Sequence, residues 1–180
     1  MIDEETFVHD PRRAGDVKRY HAQTHLVPQS VAAHSWNLAR IVTTIWPEVP
    51  KHVIVYCIYH DIAEGACGDL PYTTKLRSTA IKENMDLLET GAVRTMIGIW
   101  GIPGLPKLTD EEKRFVKAAE YVEFAEYSWN EKNLGNKYIQ VVLDRVLPLI
   151  NATKFKDTYL NTRFHSYVKQ RKLYEEGVLK

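Results

Sequence analysis

From Ser30 to Pro47 the chain spaces Val31, His34 and Ser35, Leu38, Ile41 and Val42, and Ile45 three or four residues apart. That interval places them on one face of an α-helix. Helical patterning returns in the later segments, and no segment alternates apolar and polar side chains with the period of two that a half-buried strand needs. The expected fold is therefore all-α, a single compact helical bundle.

The breaks between helices are legible as well. Residues 1–16 are polar, carry Pro11 and Gly15, and read as an irregular N-terminal arm leading into a short helix. After the helix that Pro47 ends, a second is expected over Val49–Glu64, nearly continuous in apolar side chains and so central. Gly65, Gly68 and Pro71 interrupt the chain there. Further helices are expected over Thr79–Trp100, from a capping box at Thr109 and Glu112 to Asn133, over Lys137–Ile150, and over Lys156–Glu176 with Gly177 as its C-terminal cap. No repeat or low-complexity tract appears, and one domain is expected over 1–180.

Composition narrows the partners. Twenty-four basic and 23 acidic residues leave a net charge of +1, so there is no general basic field for nucleic acid. The acidic start lacks the apolar core of a signal peptide, and no apolar run approaches the ~18 residues of a membrane span. Cys57 and Cys67 show no CxxC spacing, which suits a reducing compartment. A cytoplasmic protein that binds neither membrane nor nucleic acid is expected.

Chemistry concentrates in "YHDIAEGACGDLP", residues 59–71. His60, Asp61 and Glu64 close the apolar run Val53–Ile58, where charge is costly unless something binds it. Glu64 lies one turn beyond His60, and carbonyls at a helix end favour a cation. One imidazole with nearby carboxylates forms a mixed N/O metal corner. Two more polar groups stand where helical spacing predicts core: His34, and Glu120 within "FVKAAEYV". Two imidazoles and two carboxylates from three helices would hold one divalent ion with positions left for water and substrate.

"AAHSW", "YHDIAEGACGDLP" and "VKAAEYVEF" together resemble the motifs of the HD-domain phosphohydrolases. The resemblance is strongest to bacterial 5'-deoxyribonucleotidases and to short phage HD proteins, dATP triphosphohydrolases among them, and it spans about residues 15–125. The Arg-aromatic pair of that family matches Arg19-Tyr20, fifteen residues before His34. Its remaining motifs match His60-Asp61, Glu64, Gly68-Asp69-Leu70-Pro71 and Lys75 in order. Two positions depart: Ala33 stands where relatives usually carry glutamate, and Glu120 where they carry aspartate.

The resemblance implies metal ligands His34, His60, Asp61 and Glu120, and one divalent transition metal (Zn, Co, Mn or Fe), with Mg on the phosphates as a further option. It implies acid/base roles for Glu64 and Asp69, phosphate contacts from Arg19 and Lys75, and a base and sugar pocket at Tyr20, Ala22 and Pro71. The implied reaction is cleavage of the 5'-phosphate ester of a small deoxynucleotide, first dATP to deoxyadenosine and triphosphate, as in the phage group, which would place the protein in the host cytoplasm. The alternatives are release of phosphate from deoxynucleoside monophosphates and a non-catalytic nucleotide- or metal-binding module. Relatives of this kind lead us to expect a homo-oligomer, a dimer or a hexamer.

Overall fold

A computed structural model describes residues 8–71, 74 and 78–178. Helix α1 (Pro11–Asp16) begins where the Asp10 carboxylate accepts the Arg12 N–H and Pro11 supplies a preset φ. The described part of the expected irregular arm is thus partly helical. A two-residue antiparallel pair follows, β1 (Lys18–Arg19) with β2 (Gln29–Ser30), in which Arg19 faces Gln29. Ser30 then caps α2 (Val31–Ile45) by accepting from Ala33 N–H. Its bounds agree with the spacing of its apolar residues.

The helix expected over Val49–Glu64 is in fact two elements, α3 (Lys51–Tyr59) and α4 (Glu64–Cys67). Between them the backbone tightens. Ile62 N–H donates to Tyr59 O, Glu64 N–H to Asp61 O and Gly65 N–H to Ile62 O, each a three-residue step of the 3₁₀ kind rather than the four-residue step of an α-helix. His60 and Asp61 occupy this overwound turn. Helix α4 then presses on α1 at Gly65, where a Cβ would lie 2.7 Å from Ala14 N.

Helix α5 (Thr79–Trp100) runs from an Ser78 cap to Gly101 in the left-handed conformation. Helix α6 (Asp110–Asn133) opens with the expected capping box: Thr109 Oγ1 accepts Glu112 N–H and the Glu112 carboxylate accepts Thr109 N–H. Helix α7 (Gln140–Ala152) begins later than its pattern suggested, because Asn136 Oδ1 accepts Tyr138 N–H and holds a turn open there. Helix α8 (Thr158–Glu175) likewise starts after Asp157, whose carboxylate caps it.

The core lies between α2, α6, α7 and α8. It gathers Leu38, Ile41, Val42 and Ile45 with Phe115, Ala119, Val122 and Ala125, and with Leu143, Ile150, Phe155 and Phe164. Edge-to-face contacts from Trp46 to Phe115, Phe115 to Phe155 and Phe155 to Phe164 tie these helices together. The central helix is α6, not α3, of which only Val53 and Cys57 are buried. Trp129 is buried with α6, whereas Trp36 is 65% exposed and lies outside the core. Among the described residues no helix is long and apolar enough to cross a membrane.

Candidate metal centre

His34, the fourth residue of α2, is 2% exposed. The overwound turn after α3 brings His60 and Asp61 against it. His34 Nε2 lies 3.3 Å from His60 Nε2 and 3.6 Å from Asp61 Oδ2, and His60 Nε2 lies 3.3 Å from the same oxygen. Both imidazoles are anchored from behind. His60 Nδ1 is 3.1 Å from Cys57 O, and His34 Nδ1 is 2.9 Å from Glu123 Oε2. A carbonyl or a carboxylate can only accept, so in each neutral ring Nδ1 carries the hydrogen and Nε2 keeps its lone pair for the shared space.

The donor set fits a divalent transition metal. Tetrahedral bonds of about 2.0–2.1 Å place neighbouring ligand atoms about 3.3–3.4 Å apart, and the three separations here are 3.3, 3.3 and 3.6 Å. Two imidazole nitrogens and one carboxylate oxygen are the chemistry that Zn, Co, Mn and Fe accept.

The local field is steep. Burial favours neutral Asp61, but His60, Arg19 and His34 outweigh it and hold its carboxyl well below the usual range. Burial would lower the pKa of His60, yet Asp61 and Glu120 raise it. Arg19 Nη1 reaches Asp61 Oδ2 at 2.5 Å. Burial opposes charge on Arg19 as well, but Tyr20, Asp61, Glu64 and Glu123 keep it a cation. Burial pushes the Cys57 thiol up to about 12, so this cysteine supplies no thiolate near neutrality.

The other residues singled out in the sequence lie at varied distances from this corner. Glu120 is outside the three-residue cluster: its carboxylate pairs with Lys117 Nζ at 2.6 Å, although it is near enough to raise the pKa of His60. Glu64 is buried at the start of α4, within the field felt by Arg19. Asp69 is half-buried, with Oδ2 3.7 Å from His21 Nδ1. Tyr20 adopts φ 59°, and its ring stacks on Phe124 and Tyr127 with centroids 4.9 Å away in each case. Those contacts offset the roughly 1–2 kcal/mol that left-handed backbone costs a residue with a Cβ. Ala22 is exposed and Pro71 half-buried. Lys75 lies outside the described residues.

Sequence reasoning missed Glu123. It is 2% exposed, and besides His34 it accepts from Gln29 Nε2 at 2.6 Å. The signal was available: Glu123 follows Ala119 by one helical turn, on the buried face of α6.

A helical bundle in which an overwound His-Asp turn meets a histidine of a neighbouring helix has the fold and the metal corner of an HD-domain phosphohydrolase. The chain belongs to the YfbR-like 5'-deoxynucleotidase family, whose model matches residues 7–165. Among solved structures it is similar to the HD phosphohydrolase DatZ of cyanophage S-2L, bound to dA and one catalytic Zn2+ ion. The identity is 14%, the match covers 94% of this chain and 97% of that one, and the TM-score is 0.64. No curated protein matches the chain.

Proposed function

We propose that this protein hydrolyses the ester between the 5'-oxygen and the adjoining phosphorus of a deoxynucleotide, dATP foremost, releasing deoxyadenosine and triphosphate. The observation that carries the reading is the convergence of His34 Nε2, His60 Nε2 and Asp61 Oδ2 beside the Arg19 guanidinium. These three residues would hold one divalent ion, with Glu120 as the fourth donor that the family motif implies. Such an ion, when bound, polarises a phosphoryl oxygen and acidifies a water molecule.

The chain's own groups do the rest. Arg19 has a buried Nε with no hydrogen-bond partner among the described residues, and this N–H is a donor for a phosphate oxygen as negative charge builds. Lys75, six residues after Asp69 in the sequence, adds a second cation. Glu64 accepts a proton from the attacking water as its oxygen bonds to phosphorus. The ester bond breaks, and the proton held by Glu64 passes to the departing 5'-oxygen, with Asp69 as the complementary acid/base group. Tyr20, held by Phe124 and Tyr127, forms a fixed wall for the base and sugar, with Ala22 and Pro71 leaving room beside it.

Support for adenine comes from the cyanophage relative, described as bound to dA. The family's description favours a second reading, in which a deoxynucleoside monophosphate yields deoxynucleoside and phosphate by the same bond cleavage. Both are tested by incubating purified protein with each dNMP and dNTP plus Co²⁺ or Mn²⁺ and separating nucleoside, phosphate and triphosphate. Deoxyadenosine and triphosphate from dATP are expected. Orthophosphate from dAMP, with dATP untouched, selects the second reading. No product under several metals would leave a binding module.

A further inference from the structure

We propose that Glu123 is a positioning residue for the metal centre: with Gln29 behind it, Glu123 fixes the tautomer and orientation of His34. The inference rests on the metal reading of the site and extends it by one layer of side chains.

Glu123 is an uncommon placement. Its carboxylate is buried on α6 at 2% exposure, where an ionised group is expensive unless its oxygens are bonded. Both oxygens are used. Oε2 takes His34 Nδ1 at 2.9 Å, and Oε1 takes Gln29 Nε2 at 2.6 Å. Gln29 is itself buried and lies in β2, next to the residue that caps α2 and opposite Arg19 in the strand pair. A continuous path thus runs from Arg19 through the strand pair to Gln29, Glu123 and His34.

A buried ion pair made only for stability would not need to choose a ring nitrogen. Here Nδ1 is taken, so Nε2 is left facing His60 Nε2 and Asp61 Oδ2. A carboxylate behind an imidazole fixes the ring and strengthens its other nitrogen as a donor. Among the described residues, His60 Nδ1 meets the neutral Cys57 carbonyl and no carboxylate. The two histidines are therefore supported unequally, and of the two, removing the Glu123 carboxylate acts directly on His34.

The test uses the full chain with Glu123→Gln, Glu123→Ala and Gln29→Ala. The tautomers of the metal-free proteins are read by ¹H–¹⁵N spectroscopy of the imidazoles at about pH 8, above the ordinary histidine range. Zinc affinity is read by competition with a chromophoric chelator. The Nδ1–H form of His34 is expected in the wild type and in E123Q, whose amide oxygen still accepts. In E123A the Nε2–H form appears, and zinc affinity falls about 10–100-fold. In E123Q it falls less, because geometry is kept and charge is lost. If E123A does not fold, E123Q and Q29A carry the test, with weaker zinc binding expected in both. Unchanged zinc affinity in all folded variants, with the His34 tautomer unaltered, would overturn the proposal. Failure of the wild type itself to bind zinc would instead overturn the metal reading, while the tautomer measurement still reports on Glu123.

Discussion

Asp61 Oδ2 faces three nitrogens at once: Arg19 Nη1 at 2.5 Å, His60 Nε2 at 3.3 Å and His34 Nε2 at 3.6 Å. One oxygen thus serves both the donor corner and the guanidinium. Asp61→Asn should lower metal affinity and turnover by more than about 100-fold, beyond the 10–100-fold that outer partners cost. It also leaves a mostly buried cation without its carboxylate, at about 3–5 kcal/mol of stability. Arg19→Lys should separate the two functions. Metal content stays near wild type, while kcat/KM drops about 100-fold because the planar fork is lost. Metal analysis beside steady-state kinetics checks both, and a metal-depleted R19K would contradict the division.

Glu120 stands one methylene further from its helix than the aspartate of the resembling motif, and it pairs with Lys117. That pair is partly exposed, with the lysine side chain at 57%, so releasing it costs only about 0.3–1 kcal/mol. Lys117→Ala should therefore change metal affinity by less than about fivefold. Glu120→Ala should weaken it by more than about tenfold if the carboxylate turns inward. Titrating both variants with zinc decides the matter: equal, small effects would leave the centre with three protein ligands.

The fold was legible where one rule governed each segment. The period of α2 and the capping box of α6 set their own bounds without help from tertiary structure. The site was harder to read, because tertiary bonds override local pattern there. Continuous apolar residues over Val53–Ile58 suggested one helix to Glu64, but the backbone overwinds at His60 and Asp61. Glu123 went unnoticed because a glutamate on a helix face is ordinary until a buried histidine is found 2.9 Å away. Tyr20, expected at the base and sugar pocket, is held in place by Phe124 and Tyr127. These partners lie more than a hundred residues further along the chain, beyond the reach of any local rule.

Gly65 sets how closely α4, and Glu64 with it, approaches α1. Alanine in a helix is normally preferred over glycine by about 1 kcal/mol. Here its Cβ would meet Ala14 N at 2.7 Å and Ala14 Cα at 3.1 Å, and backbone cannot rotate away as a side chain does. Overpacking of this kind costs about 1–3 kcal/mol, so the clash should win. Gly65→Ala is expected to lower Tm and to reduce kcat about tenfold through displacement of Glu64, with zinc affinity nearly unchanged. A more stable G65A protein would show that α4 can shift freely.

Glu131 should govern stability in acid. Its carboxylate accepts Leu26 N–H, Val27 N–H and Asn136 Nδ2, each at 2.7 Å, and so pins the loop that leads into Gln29. Burial would raise its pKa, but those hydrogen bonds and the nearby His25 outweigh burial and lower it. A lowered folded-state pKa means that the unfolded chain takes up the proton first. The stability Glu131 contributes is then complete above the ordinary glutamate value of about 4.3 and is lost as pH falls below it, through the lower folded-state value. Urea midpoints measured from about pH 6 to pH 3 should fall more steeply for the wild type than for Glu131→Gln. At neutral pH the variant should already be less stable by about 1–3 kcal/mol, since the two backbone N–H groups meet different carboxylate oxygens and an amide puts an NH2 donor in place of one of them. Parallel pH profiles for the two proteins would place the acid sensitivity elsewhere, with the Glu112 carboxylate of the α6 capping box, also held below its ordinary pKa, the next group to test.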